Sequence, residues 1–361
     1  FIGGLMRKID KAIVLAKDNL NKSVMEINPN ILEEVKEKDE EYLTFGVKNT
    51  GDIPRSLIDN IRNNKKFLWT TIDRMSHLGR SIDTELINPL TYRAMTGSSS
   101  GTAINVFKGI NDFGIGTDGG GSVLAPALSL NLFSFLGKGA GLEISKKGVS
   151  TDNIAFKPGI GLISKDLPTL KCVVNELMSL EEYSLKEVRV VISKKNTCKT
   201  IEGEDIYNKV INILNKIKSY HKLTIVEYRF QDIYNRESSI KDINNIFSND
   251  IGDIIINFEG PIDLYGYDET IQKSFLGNGA KEITKNGGKA LVKSANICRC
   301  SAITLPVNEI ASGIVLCSKE GKEKIHGLFA LAEEINEVIK RPDIYEKYFI
   351  RKEKFVNSLD F

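Results

Sequence analysis

Two runs rich in glycine and serine carry the strongest signal in this sequence: Thr96-Gly-Ser-Ser-Ser-Gly-Thr-Ala103 and Gly116-Thr-Asp-Gly-Gly-Gly-Ser-Val-Leu-Ala-Pro-Ala127. The successive glycines 119–121 leave adjacent backbone N–H groups unshielded by side chains. A tight turn at these glycines can aim the N–H groups at one point, as an oxyanion hole requires. Ser122 follows at once, so its hydroxyl can attack a carbonyl group whose oxygen lies in that hole. We therefore expect the oxyanion hole at Gly119, Gly120, Gly121 and Ser122.

Two other interpretations of these runs fit less well. A phosphate-binding P-loop requires GxxxxGK[ST], and no Lys-Ser or Lys-Thr follows either run, nor does a GxGxxG open a strand–helix unit here. Residues 97–101 formally match the nucleophile elbow GxSxG with Ser99 as nucleophile. That motif needs a catalytic histidine, and neither His221 nor His326 follows a pattern typical of a catalytic loop.

The serine needs a base, and histidine is scarce in this sequence. The chain holds only 3 histidines. A lysine whose pKa is lowered by burial can remove a proton in its place. Ser98 lies 24 residues before Ser122, which is enough for an excursion of the chain that returns to the same point. A second serine at such a point can relay a proton between the lysine and the nucleophile.

The rest of the chain predicts an α/β fold in which a mixed, twisted central sheet is covered by helices on both faces. Apolar positions at helical spacing predict helices within residues 8–42, 56–66, 102–108, 205–219 and 322–339. Strands are expected at residues 43–48, 67–72, 188–192, 223–228, 254–258, 302–306 and 313–317. The chain lacks a linker rich in proline or serine and has no internal repeat, so we expect one domain over residues 1–361. Its parts are N-terminal helices (1–42), a catalytic core (43–180) and the remainder of the sheet with a C-terminal helix (181–361).

Composition excludes several classes of protein. The 361 residues include 49 Lys+Arg and 47 Asp+Glu, and this balance gives no reason to expect direct nucleic-acid binding. Apolar stretches are too short to predict a membrane span, and the first residues are too short and polar a stretch to predict a signal peptide. Sparse cysteines favour a reducing compartment, which predicts a cytoplasmic location. Cys298 and Cys300 form only half of a zinc site, because no histidine stands at ligand spacing, so we expect no metal.

The two runs at their fixed separation closely resemble the amidase signature family. The family's usual runs are GGSSGG and GTDxGGS[IV]RxPA, and this sequence has Thr96 to Ala103 and Gly116 to Ala127 in their place. The resemblance extends to residues 88–89, 156–165 and 301–306. It implies that Ser122 is the nucleophile and that Ser98 is the bridging serine, held through a cis peptide bond to Ser99.

The same resemblance implies the identity of the base. The family's lysine ends a strand in the pattern P[IV]x[IV]KD, and residues 45–49, Phe-Gly-Val-Lys-Asn, are the best match. Lys48 is therefore the expected base, whereas Lys65 and Lys66 end a charged helix and are expected to be solvated. Ser99, Thr117 and Asp118 are expected to support the site, with Asp118 accepting hydrogen bonds in its turn. Met75 stands where family members line the acyl pocket.

These residues predict a serine hydrolase that cleaves a carboxylic amide through an acyl-enzyme on Ser122, with a proton relay through Ser98 and Lys48. No cofactor is needed, and the substrate is a small-molecule or peptide amide. Two alternatives stay open. One is the A subunit of a glutamine-dependent tRNA amidotransferase, which shares these motifs and works with a partner subunit; a homo-oligomer is equally open. The other is a non-catalytic binding or structural subunit, because Asn49 and Leu124 depart from the family's pattern and only 50 residues separate Lys48 from Ser98.

Overall fold

The protein is described by a computed structural model covering residues 8–144, 146–149, 154–179, 186–267 and 277–350. Its strands are β1 Val24–Ile27, β2 Leu43–Lys48, β3 Phe67–Asp73, β4 Ile82–Ile87, β5 Ala94–Thr96, β6 Phe113–Asp118, β7 Phe133–Leu136, β8 Gly148–Val149, β9 Ala155–Phe156, β10 Gly159–Ser164, β11 Val188–Ser193, β12 Leu223–Tyr228, β13 Ile254–Glu259, β14 Ser301–Pro306 and β15 Gly313–Ser318.

The helices lie between these strands along the chain. They are α1 Lys8–Asp18, α2 Ile31–Glu34, α3 Arg55–Asn63, α4 Ser100–Lys108, α5 Leu124–Ser129, α6 Leu167–Met178, α7 Ile206–Leu214, α8 Arg236–Ser248, α9 Asn278–Lys285, α10 Leu291–Ser294 and α11 Lys324–Asn336. Short 3₁₀ turns occupy Val35–Glu37, His77–Gly79, Lys138–Ala140 and Tyr220–Lys222, and a π-helical turn occupies Tyr345–Ile350. None of the helices in these described ranges is both long and apolar enough to cross a bilayer.

One mixed sheet of 11 strands organises the molecule, in the order β1-β3-β2-β6-β10-β7-β14-β15-β13-β11-β12. β2 runs parallel to β3 and β6, and β11 runs parallel to β12 and β13. The strands between these two parallel groups pair antiparallel. Every residue of β6, β10, β13, β14 and β15 is buried, as expected for strands covered on both faces.

Helices form a layer on each face of the central strands. α4 packs against α5, α6 packs against α11, and each pair also contacts the strands near the middle of the sheet. The predicted α/β fold with a mixed sheet covered on both faces is therefore confirmed. The apolar positions along α6 show why it takes this place, since Leu167, Leu170, Val173 and Val174 are fully buried at helical spacing.

The N-terminal segment differs from the prediction. Helices are predicted within residues 8–42, and α1 and α2 lie there, but residues 24–27 between them form β1, which pairs antiparallel with β3. The apolar periodicity of α1 ends at Leu20, and the chain turns at Asn21, where φ is +61°. Pairing with β3 satisfies backbone groups that would otherwise be exposed at the edge of the sheet, which helical propensity does not reveal.

Candidate active site

Lys48 is the last residue of β2, a strand buried between β3 and β6. Only 3% of the residue is exposed, although lysine usually keeps its charged end in water. The Nζ atom lies 2.6 Å from Ser98 Oγ, 2.9 Å from Thr117 Oγ1 and 3.3 Å from the Thr117 carbonyl oxygen. The fold therefore brings together the side chains of Lys48, Ser98 and Thr117, which lie up to 69 positions apart in the sequence.

Burial changes the protonation of this lysine. It lowers the pKa of Lys48 from 10.5 to about 7, and the negative charges of Asp118 and Asp52 oppose the change only in part. A neutral amine has two N–H groups and one lone pair. The two N–H groups can bond to the oxygens of Thr117, which leaves the lone pair for the hydroxyl of Ser98. The arrangement can therefore accept a proton from Ser98 near neutral pH.

The loop that carries Ser98 is fixed by backbone hydrogen bonds. Gly97 has φ of +76°, a left-handed conformation that glycine adopts without a steric penalty. The carbonyl of Ser98 accepts from the N–H of Ser76 at 3.1 Å, and the N–H of Ser99 donates to the carbonyl of Ser122 at 3.2 Å. The second of these bonds joins the two glycine-serine runs directly.

The prediction of a cis peptide bond between Ser98 and Ser99 is wrong. Among the described residues, the cis peptide bond lies between Gly260 and Pro261, and the bond between Ser98 and Ser99 is trans. The chain reverses instead at Gly97, whose left-handed φ already turns the backbone toward the start of α4.

Asp118 holds the turn that contains the nucleophile candidate. Its carboxylate accepts from the N–H groups of Gly121 and Val123, each at 2.7 Å, and of Leu124 at 3.2 Å. Burial raises the pKa of Asp118, and these three bonds work against that rise. The N–H of Gly121 is thus already used within the turn. The N–H groups of Gly119, Gly120 and Ser122 donate to no protein acceptor within the described ranges.

The residues of this candidate site differ in their exposure to solvent. Lys48, Ser98 and Asp118 are buried, whereas Gly119, Gly120 and Ser122 are partly exposed. A substrate can therefore reach the hydroxyl of Ser122 while the lysine stays desolvated. Within the described ranges, Ser122 Oγ makes no hydrogen bond to Ser98 Oγ.

Residues from the second half of the chain enclose the turn. Asn296 is buried and donates to the carbonyl of Gly119 at 3.1 Å, and its own amide oxygen accepts from the N–H of Gly159 at 2.8 Å. The Phe156 ring packs so closely on Gly119 that a Cβ there would lie 2.2 Å from it. Arg236 lies beside Gly120 in the same way, with a guanidinium nitrogen 3.3 Å from a Cβ placed on that glycine.

The other residues that the sequence singled out differ in their burial and in their contacts. Met75 is half-buried and immediately precedes Ser76, which bonds to Ser98. Lys66 is exposed and pairs with Glu176. Burial raises the pKa of the thiols of Cys298 and Cys300, the pair at which no metal is expected, and this disfavours the thiolate that zinc would need. Among the described residues, one group of three acidic side chains comes close enough together to hold a cation, namely Glu202, Glu204 and Glu309. Lys209 already pairs with Glu204 and Glu309.

Sequence reasoning missed Arg236, Asn296 and Glu259. Glu259 ends β13 and accepts from the N–H groups of Ala290 and Leu291 at 2.8 and 2.7 Å, and thereby holds the segment that packs on the nucleophile turn. None of these residues belongs to a motif, and more than a hundred positions separate Arg236 from Ser122. The one available signal was Glu259 itself, the single charged residue of β13, which ends that strand.

Comparison with known proteins finds partial sequence matches to two proteins named Amidase 1. No family model matches the chain. A segment of 99 residues is 36% identical to Amidase 1 of Oryza sativa subsp. japonica; it covers 26% of this chain and 21% of that protein, so the match spans about a fifth of the relative.

Solved structures share the fold over nearly the whole chain. An amidase family protein from Bacillus anthracis str. Ames aligns over 93% of this chain and 89% of its own, with a TM-score of 0.60 and 11% identity. A 6-aminohexanoate cyclic dimer hydrolase complexed with substrate aligns over 93% and 95%, with a TM-score of 0.62 and 11% identity.

Proposed function

We propose that this chain is a member of the amidase signature family and that it hydrolyses a carboxylic amide through an acyl-enzyme on Ser122. One observation carries the proposal. The buried amine of Lys48 lies 2.6 Å from the hydroxyl of Ser98, and the loop of Ser98 is bonded to the turn of Ser122. A desolvated lysine beside a hydroxyl has little use in stability, because its burial disfavours the charged form.

The first step moves protons toward Lys48. Neutral Lys48 Nζ takes the proton of Ser98 Oγ, and Ser98 Oγ takes the proton of Ser122 Oγ. Ser122 Oγ then forms a bond to the carbonyl carbon of the amide. This step requires a hydrogen bond between Ser122 Oγ and Ser98 Oγ. Hydrogen bonds in catalytic sites often tighten only when substrate is bound, so we assign this bond to the substrate complex.

Charge develops on the carbonyl oxygen during this attack. We assign its stabilisation to the N–H groups of Gly119, Gly120 and Ser122, because the N–H of Gly121 is used by Asp118. The protons then return along the same path to the amide nitrogen, the C–N bond breaks and the amine leaves. Water attacks the acyl-enzyme with the same residues acting as base, and the carboxylic acid is released.

The geometry also bears on the non-catalytic alternative. A binding or structural descendant has no need to keep Lys48 within hydrogen-bond reach of Ser98. The 2.6 Å separation, together with a pKa lowered to about 7, supports a working base instead.

The proposal is tested with a fluorophosphonate probe and a panel of small amides. Ser122→Ala is expected to lose labelling completely and to lose amide hydrolysis by at least about a thousandfold, because it removes the nucleophile. Ser56→Ala, at an exposed serine outside the site, is the matched control and should behave as the wild type. Labelling of Ser122→Ala at the wild-type rate would reject the assignment.

A further inference from the structure

Asn296 contacts the turn that carries the proposed nucleophile, although it lies 177 positions after Gly119 in the sequence. Its side-chain Nδ2 donates to the carbonyl of Gly119 at 3.1 Å and to the carbonyl of Lys157 at 3.2 Å. Its Oδ1 accepts from the N–H of Gly159 at 2.8 Å. A backbone N–H can only donate, so the bond to Gly159 fixes which end of the amide group faces the turn.

Buried contacts hold this side chain in place. Only 1% of Asn296 is exposed, and the residue follows α10. The start of that helix is held by Glu259, whose carboxylate accepts from the N–H of Leu291 at 2.7 Å. The Phe156 ring packs closely on Gly119, so the acceptor of the bond is restricted as well. The hydrogen bond between Asn296 and Gly119 therefore joins two fixed parts of the structure.

This bond also determines where the N–H of Gly120 points. The carbonyl of Gly119 and the N–H of Gly120 belong to one peptide group. That group is planar and trans, so its C=O and its N–H point in opposite directions. Gly120 is partly exposed, and within the described ranges its N–H donates to no protein acceptor. The N–H is therefore available to a bound carbonyl oxygen, in a direction that Asn296 sets from the other side.

The turn needs such a contact because of its composition. Neither Gly119 nor Gly120 has a side chain that limits the rotation of the peptide group between them. Asp118 holds the later part of the turn, where its carboxylate accepts from the N–H of Gly121 at 2.7 Å. Asn296 holds the earlier part, which contains the peptide group of the proposed oxyanion donor.

We propose that Asn296 is a positioning residue for amide cleavage, which aims the N–H of Gly120 at the carbonyl oxygen of the substrate by holding the carbonyl of Gly119. This inference rests on the proposed function and adds a residue from the second half of the chain. An N–H group that is aimed in advance needs no reorientation when charge develops on that oxygen. Because this charge develops only in the transition state, the contribution appears in kcat and hardly in KM.

The test removes the hydrogen-bond donor and keeps the acceptor. Asn296→Asp still accepts from the N–H of Gly159 but, when ionised, offers no hydrogen to the carbonyl of Gly119. Steady-state hydrolysis of the best amide in the panel is measured at about pH 9, where a carboxylate is ionised. We expect kcat to fall by about tenfold to a hundredfold, less than the loss of an oxyanion donor itself, and KM to change by less than about threefold.

Asn131→Asp is the matched control, because Asn131 makes the same pattern of bonds at a position outside the site. Asn131 is fully buried, accepts from the N–H of Ala311 at 2.8 Å and donates to the carbonyls of Val307 and Glu309 at 3.4 and 2.9 Å. Both variants should lose similar stability toward denaturant, whereas only Asn296→Asp should lose kcat. An unchanged kcat in Asn296→Asp, an equal loss in both variants, or a loss mainly in KM would overturn the inference.

A second variant and crystal structures separate this role from the proposed function. If Asn296→Asp fails to fold, Asn296→Ala removes the same donor without adding a charge, and the same loss of kcat is expected. Crystal structures of the wild type and of either variant show whether the peptide group between Gly119 and Gly120 turns. A turned peptide group supports the role of Asn296 even if Ser122→Ala keeps its activity. An unchanged peptide group overturns it even if Ser122 is the nucleophile.

Discussion

Lys48 and Glu259 each end a strand and are each buried titratable residues, but their side chains contact different kinds of groups. Lys48 ends β2 in the first half of the chain and Glu259 ends β13 in the second half. Burial moves both pKa values to about 7, downward from 10.5 for the lysine and upward from 4.5 for the glutamate. Lys48 contacts the hydroxyls of Ser98 and Thr117, whereas Glu259 contacts backbone N–H groups of residues 290 and 291.

The shifted pKa of each residue shows only that its side chain is buried. The groups that the side chain contacts determine what it can do. A hydroxyl next to a neutral amine can lose its proton, so the contact of Lys48 suits the proton transfer that we propose. A backbone N–H keeps its proton, so the contact of Glu259 only fixes the path of the chain. That path matters to the site, because the carbonyl of Val292 lies 3.0 Å from a Cβ placed on Gly121.

The largest effect that separates the two residues is expected in catalysis. Lys48→Met should lower kcat/KM for the best amide by about a thousandfold, because it removes the base while keeping an unbranched side chain in the buried position. The measurement is steady-state hydrolysis, with circular dichroism as a check of folding. Lys65→Met, at an exposed lysine, is the control. Retention of more than a tenth of the wild-type activity in Lys48→Met would show that its burial has no catalytic purpose.

A second prediction concerns pH and sharpens the role of the lysine. In the proposed mechanism the active form of Lys48 is the neutral amine, so log kcat/KM should rise by about one unit per pH unit below pH 7 and level off above it. Activity measured from pH 5 to 10 tests this directly. A profile that keeps rising to pH 10 would mean that Lys48 titrates as a solvated lysine, and a flat profile from pH 5 would mean that it is not the base.

The smallest expected effect belongs to Glu259 and appears in stability. Because the folded-state pKa lies above the ordinary value, the folded protein binds this proton more tightly than the unfolded chain. The contribution is complete below pH 4.5 and is lost as pH rises through 7, by about 3 kcal/mol in the free energy of unfolding. Glu259→Gln should remove that dependence in denaturant titrations at pH 4.5 and 8.

The control for this experiment is Glu26→Gln, at an exposed glutamate of β1. Its free energy of unfolding should follow the wild type at both pH values. Since Glu259 does not touch the proton path, Glu259→Gln should also keep the pH profile of activity that Lys48 sets. Parallel stability curves for Glu259→Gln and the wild type would show that the carboxylate is not desolvated as the fold indicates.

Much of the fold could be predicted from the sequence because its signals are local. Residues 254–258 and 313–317 are mostly apolar, with Asn257 as the polar exception, and both form strands in the interior of the sheet. Of the strands in the described residues, β1 and β4 to β10 were not predicted. β1 is stabilised by pairing with β3, and β7 is a four-residue strand whose order depends on β10 and β14 on either side. Such pairing energy comes from residues distant in the sequence, which local periodicity does not contain.

By itself, the sequence determined the candidate site residues: a lysine, Lys48, at the end of a predicted strand, a serine-rich loop at Ser98 and a glycine turn that ends at Ser122. Only the tertiary structure decided that Lys48 Nζ lies 2.6 Å from Ser98 Oγ, that Asp118 uses the N–H of Gly121, and that Arg236 comes to rest beside Gly120. The physical reason is that residue type fixes which bonds a group can make. Which of those bonds form depends on burial and on long-range contacts, and these exist only once the sheet has assembled.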